Sequence, residues 1–127
     1  WNVEEFDVED FAVATVNFKN GATFVLETSW ALNIKGDQQT LQLSGDHGGA
    51  DLFPLNVYKD RGNALMDWIP RDVKKSQPEH TLSVANFVGA ILEDESPLVT
   101  GDDGLTVARV VDALYESADS GLLVNLG

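Results

Sequence analysis

The stretch Pro97-Leu98-Val99-Thr100-Gly101-Asp102-Asp103-Gly104-Leu105, running on through Asp112-Ala113-Leu114-Tyr115-Glu116-Ser117-Ala118 to Gly121 and Leu126, decides the fold class. Val107, Val111, Leu114 and Ala118 recur at helical spacing, with Ala108 and Tyr115 beside them, which predicts an amphipathic helix with this stripe toward a core. Thr100 or Asp102 is placed to cap the first N–H groups, and Asp102 and Asp103 sit at the positive end of the helix dipole. Gly121 suits a left-handed cap. Leu122 then folds back on the last turn, and Leu123, Val124 and Leu126 read as a short terminal strand.

Working outward, residues 10–18 and 22–30 alternate in polarity and are joined by Lys19-Asn20-Gly21, a hairpin signal. A three-residue loop with Gly21 left-handed sets Phe18 opposite Ala22 and segregates the faces. Ala12, Ala14, Val16, Phe18, Ala22, Phe24, Leu26, Thr28 and Trp30 then share a core face, with Trp30 read as core. Phe11, Val13, Thr15, Asn17, Thr23, Val25, Glu27 and Ser29 share the other, half-apolar face. A second helix is expected over 79–92, with the stripe Val84, Phe87, Val88 and Ile91, and with Ser76-Gln77-Pro78-Glu79 as a capping box that puts proline in the first turn. Gly89 inside it implies a close neighbour, since glycine costs a helix about 1 kcal/mol relative to alanine. Further strands are expected at 39–44, 50–53, 55–59 and 64–68, with turns at 45–49 and 60–63. The class is α+β: a predominantly antiparallel open sheet with helices packed on one face.

At 127 residues and 43% hydrophobic, the chain is one domain's worth, with apolar material for a single core. Twenty-one acidic residues against eight basic ones give a net charge of -13, which repels nucleic acid. Thirteen aspartates and five lysines also fit a source living at high salt. No apolar run approaches the roughly 20 residues of a membrane helix. Zero cysteines exclude disulfides and thiolate chemistry and fit a cytoplasmic location.

Pro97, Gly101-Asp102-Asp103-Gly104-Leu105, Ala113-Leu114-Tyr115-Glu116-Ser117-Ala118 and the Ser-Gly before an apolar strand together resemble the end of the Gfo/Idh/MocA oxidoreductases. Val8-Glu9-Asp10-Phe11-Ala12, Asn17-Phe18-Lys19-Asn20-Gly21-Ala22 and Ser29-Trp30 resemble the hairpin with which that family builds the sheet of its C-terminal domain. The resemblance implies that residues 1–127 form a single C-terminal, substrate and oligomerisation domain. Its parent would be a dehydrogenase of a sugar, cyclitol or related polyol, using NAD or NADP held on an N-terminal Rossmann domain that is absent from this chain. The family's glycine-rich strand-to-helix turn is missing, because Gly45-Asp46-His47-Gly48-Gly49 has the wrong spacing and Gly101-Asp102-Asp103-Gly104 puts carboxylates where a phosphate would sit. Its Glu-Lys-Pro motif and Asp-x-x-x-His pair are missing as well, so no catalytic, cofactor-binding or metal residue is assigned here.

The half-apolar hairpin face offers Phe11, Val13, Thr15, Val25 and Glu27 for contact with a second copy, in keeping with how the family assembles. The alternative is a one-residue slip of register that returns these side chains to a core. Arg71 and His80 flank the irregular segment 70–78 and, with Trp68, are candidates for a substrate cleft. His47 beside Asp46 and Asp51, without a second histidine, reads as a solvated turn rather than a metal site. The competing function class is a free-standing homo-oligomeric binding or assembly module with no enzyme activity attached.

Overall fold

Asn20 and Gly21 close the first hairpin as their chemistry requires. Gly21 adopts φ +90°, the Asn20 side chain accepts from Ala22 N–H, and Phe18 N–H donates to the Ala22 carbonyl. In this computed structural model, which describes residues 4–71, 78–93 and 95–127, β1 (Phe11–Asn17) therefore pairs antiparallel with β2 (Thr23–Ser29). Ala12 opposes Thr28, Ala14 opposes Leu26 and Val16 opposes Phe24, the register expected of a three-residue loop. The pairing continues to Phe18 and Ala22 at one end and to Asp10 and Trp30 at the other, so the ladder reaches both expected limits.

Four further strands form a meander, β3 (Gln42–Gly45), β4 (Gly48–Leu52), β5 (Leu55–Arg61) and β6 (Ala64–Trp68), in a sheet of its own with that order. Its turns are tighter than the sequence suggests. Asp46 and His47 alone join β3 to β4, so Gly48 and Gly49 belong to the ladder. Gly62 at φ 63° and Asn63 at φ 67° alone join β5 to β6, which leaves Asp60 and Arg61 paired. Two consecutive positive φ values match the right-handed twist of a hairpin, and glycine and asparagine are the residues that take them most readily.

Helix α1 (Glu79–Leu92) occupies its expected span, but Pro78 is its N-cap rather than part of its first turn, and no side chain caps it. Ser76 and Gln77 of the expected capping box lie outside the described residues. A Cβ on Gly89 would come 2.6 Å from Glu95 Oε2, so the close neighbour is the tip of a flexible carboxylate. Helix α2 (Gly101–Ser120) starts at Thr100, whose hydroxyl accepts from Asp103 N–H while the Asp103 carboxylate accepts from Thr100 N–H, a reciprocal capping box. It ends at Gly121 in the left-handed conformation, φ 67°. Among the described residues the tail beyond joins no ladder, so the expected terminal strand is not formed, although residues 122–126 line the same hollow as Thr15, Val16 and Asn17 of β1.

The chain divides into two compact units, Trp1–Leu32 with Gln77–Gly127, and Asn33–Ser76. In the first unit α2 presents Val110, Ala113, Leu114 and Ser117 to a hollow that it shares with Thr15, Val16 and Asn17. This stripe is turned from the expected one, leaving Val107, Val111 and Ala118 exposed. Ala12, Ala14, Val16 and Leu26 are half-buried, whereas Phe18, Phe24 and the whole α1 stripe remain exposed, so the inner face is not roofed by two helices. Two strands at a spacing of about 4.8 Å make a ribbon roughly as wide as one helix, about 10 Å, and a second helix has no sheet beneath it. A closed core is therefore not reached: among the described residues only Gly89 and Ala113 are buried.

Candidate functional site

Alternation along β1 and β2 places Phe11, Val13, Thr15, Val25 and Glu27 on the outer side of the ribbon, with Val13 opposite Glu27 and Thr15 opposite Val25. All five are exposed, Val13 at 60% and Val25 at 65%. The register slip that would have returned them to a core does not occur. At the open end of this hairpin Trp30 stays half exposed rather than entering a core. Its indole N–H donates to the Glu9 carbonyl at 3.0 Å, and its ring tilts against Phe6 at 5.9 Å. The hairpin ends in a belt of backbone contacts, and an indole satisfied there has no reason to move inward.

Glu9 also fastens this segment to α2, since Tyr115 Oη donates to its carboxylate at 2.5 Å across 106 residues of sequence. That bond lowers the Glu9 carboxyl below the ordinary range and raises the Tyr115 hydroxyl above its own. Asp103 is lowered for a parallel reason, the hydrogen bonds from the Thr100 hydroxyl and N–H. In the second unit the Tyr58 hydroxyl donates to Asp51, which raises the tyrosine.

Residues opposed across an antiparallel ladder point to one side of the sheet. In the meander Leu43, Ala50, Val57 and Trp68 share a side with Leu52, Leu55, Lys59, Arg61 and Met66. Gln42, Ser44, Asp51, Asn56, Tyr58, Asp60, Leu65 and Asp67 share the other. One side is thus apolar with a cationic end, and the other is polar and acidic. Sequence reasoning missed this division, because reading 60–63 as a four-residue turn removed Arg61 from the ladder. The Gly62-Asn63 pair was the available signal, a two-residue hairpin in composition.

Trp68 is the last residue of β6 and Arg71 follows it on a bend, both in the second unit, whereas His80 lies in the first turn of α1 in the other unit; all three are exposed. The structure brings Trp68 into a hollow with Val57, Lys59, Arg61 and Met66, and groups neither Arg71 nor His80 with it there. Most of the segment they flank, residues 72–77, lies outside the described residues. His47 and Asp46 approach to 3.7 Å at the β3–β4 turn, each almost fully exposed, which makes a solvated turn. Among the described residues no group of three or more His, Asp or Glu could hold a metal ion, and no helix is long and apolar enough to cross a membrane.

Among the described residues, neither of the two glycine-bearing turns singled out in the sequence fits a dinucleotide. A pyrophosphate needs free N–H groups at a helix N-terminus that follows a strand. At α2 the Asp103 carboxylate already occupies that end, with Asp102 beside it, and a phosphate would meet two negative charges. The Gly45-to-Gly48 turn joins two strands and leads into no helix.

Comparison with known proteins adds relatives. A family model described as the oxidoreductase family, C-terminal alpha/beta domain, matches residues 2–126. D-glucoside 3-dehydrogenase of Escherichia coli (strain K12) is 34% identical over 99% of this chain and 36% of its own length. D-apiose dehydrogenase of Rhizobium rhizogenes is 25% identical over 94% of this chain and 38% of its own. An oxidoreductase of Bacillus subtilis, YrbE, is 30% identical over 92% of this chain and 36% of its own. The chain spans a little over a third of the length of the relatives it matches.

Proposed function

Because the chain belongs to the Gfo/Idh/MocA oxidoreductase family as a C-terminal alpha/beta domain, we propose that it serves an NAD(P)-dependent dehydrogenase of a sugar, cyclitol or related polyol. In this reading residues 1–127 act as one domain of a longer protein, supplying a sheet for self-association and part of the substrate wall. Hydride transfer then belongs to an N-terminal Rossmann domain that binds NAD or NADP, and this chain alone is inert. The observation that carries the reading is an end-to-end match to about a third of two named sugar-related dehydrogenases, by a chain whose glycine-rich turns reject a pyrophosphate. The many apolar side chains left exposed support the same view, since a domain that completes its core against other surfaces leaves such faces open when taken alone.

Arg71 and His80, the two polar groups that border residues 72–77, are the side chains we assign to the substrate wall. Phe11, Val13, Thr15, Val25 and Glu27 are assigned to contact with a second copy.

A fluorescence titration of the 127-residue chain with NADH is expected to show no binding, and incubation with NAD and glucosides or polyols is expected to yield no NADH. The full-length parent is expected to do both. Measurable turnover by this chain alone, or a parent that ignores NAD and NADP alike, would sink the reading.

A further inference from the structure

We propose that Asn20 is a site of spontaneous covalent modification, its carboxamide converting to a carboxylate through a cyclic imide formed with Gly21, and that the hairpin tip controls the rate. The reaction needs neither substrate nor cofactor and so lies outside the dehydrogenase reading.

A main-chain nitrogen can attack the carboxamide carbon of the asparagine that precedes it, and a Cβ on the attacking residue stands in its way. The chain has eight asparagines, and seven are followed by Val3, Phe18, Ile34, Val57, Ala64, Phe87 or Leu126, each with a Cβ. Asn20 alone precedes a glycine. A Cβ built on Gly21 would meet nothing within 4 Å, so no other group walls off the attacking residue.

The loop orients the carboxamide and restrains the nitrogen. Asn20 Oδ1 accepts from Ala22 N–H at 3.0 Å, which folds the carboxamide over the Asn20–Gly21 peptide. Gly21 N–H meanwhile donates to the Phe18 carbonyl at 2.9 Å. The ring closes only after the tip has opened and that bond is broken. Lys19, Asn20 and Gly21 are all exposed, and openings of this kind concentrate at exposed loop tips.

Atoms balance without an added reagent. The Gly21 nitrogen gives its proton to base and bonds to Asn20 Cγ; the Cγ–Nδ2 bond breaks, and the amide nitrogen leaves as ammonia with a proton from solvent. Water then adds to the imide. Cleavage between Cγ and the Gly21 nitrogen gives an aspartyl residue. Cleavage between the main-chain carbonyl carbon and that nitrogen gives the isoaspartyl form, in which the chain runs through Cγ and is longer by one carbon. Nothing is oxidised or reduced, and water is the sole co-reactant.

The hairpin tolerates these products unequally. An aspartyl carboxylate keeps an oxygen to accept from Ala22 N–H, with the cation of Lys19 next to it in sequence. The isoaspartyl form lengthens a loop whose length sets Phe18 against Ala22 and fixes the register of β1 and β2. The folded chain therefore favours the aspartyl product.

Peptide mapping by mass spectrometry tests the site, on the 127-residue chain held at mildly alkaline pH in buffer or in concentrated guanidinium. Replacement of NH2 by OH is expected at Asn20 ahead of the other seven asparagines in both, and about tenfold more slowly in the folded chain. Enzymatic methylation of isoaspartyl carboxylates is expected to label the unfolded sample more heavily per converted chain. Asn20→Asp is expected to melt with the unaltered chain. Asn20 that stays intact in the folded chain while the unfolded chain converts would overturn the site. Equal rates in the two states would overturn control by the hairpin, and faster exchange at Asn63 or any other asparagine would overturn the reading of its neighbours. A lowered melting point of Asn20→Asp, or equal isoaspartyl labelling, would overturn the preference between products.

Discussion

Fifteen carboxylates against two cations, Lys19 and Arg109, characterise the unit built from β1, β2, α1 and α2, whereas the β3–β6 unit carries six of each. Both units expose apolar side chains, but they keep charge in order differently. The helical unit spreads acid over its surface and satisfies part of it locally, Asp103 at the helix cap and Glu9 against Tyr115. Within the β3–β6 sheet Asp51, Asp60 and Asp67 lie on one side, and Lys59 and Arg61 on the other. Here the excess is regional, and the lesson is that a net charge of -13 describes the larger unit and conceals the neutrality of the smaller.

The largest test strikes the helical unit where it is tightest. Ala113 is 8% exposed and faces the hollow shared with β1, so Ala113→Asp would set an unpaired carboxylate against Val16. A loss of about 3 kcal/mol or more is expected in urea unfolding followed by helical circular dichroism. An unchanged midpoint would mean that α2 does not hold the ribbon.

Salt comes next. Raising NaCl from about 0.05 to 1 M is expected to lift the melting midpoint of the helical signal by about 8 °C, equivalent to about 2 kcal/mol in a chain of this size, because screening relieves repulsion within the acidic unit. The tyrosine signal from Tyr58 in the neutral sheet should move far less. Equal shifts in both signals would erase the contrast.

Thr100→Ala removes the acceptor at the start of α2 and is expected to cost about 1 kcal/mol. Acid provides the companion experiment. Asp103 is held below the ordinary carboxylate range, so its contribution is present above its unfolded pKa of about 4 and is lost as pH falls through the lower folded value. Thr100→Ala should therefore flatten the acid limb of the stability curve. An unaltered acid limb would show that the capping box has no energetic part.

Tyr115→Phe should have the smallest effect, a change in midpoint close to the limit of detection, because the bond to Glu9 is made in water. Its clear readout is titration by NMR, in which the Glu9 carboxyl returns upward to the ordinary range. In the unaltered chain the bond weakens in acid, as Glu9 protonates below the ordinary carboxylate range, and in alkali, as Tyr115 ionises above the ordinary tyrosine range.

Local chemistry made much of this fold legible in sequence. Gly21 set the hairpin register, Thr100 and Gly121 set the ends of α2, and alternation located β6 to the residue. Partners were harder to read. The α2 helix is apolar over a wide arc, and only the position of β1 decides that Val110 and Ala113, rather than Val107 and Val111, turn inward. The same holds for α1, whose stripe is well formed but finds no sheet of sufficient width. The outward-facing set on β1 and β2 followed from alternation and the Gly21 loop, whereas the sorted sides of the meander depended on two tight turns whose lengths the composition left open.

The left-handed Gly121 has one further effect. By reversing the chain it brings Leu122 to Leu126 back to the hollow beside Thr15, Val16 and Asn17 instead of extending the helix axis. Among the described residues the ribbon has two strands, and unpaired strand rims invite endless stacking into fibrils; a tail kept beside Thr15, Val16 and Asn17 would stand in the way of such stacking on β1. Ending the chain at Gly121 should thus convert a dispersed protein into one that seeds thioflavin-positive deposits, and a clear solution from that truncation would deny the tail its guarding role.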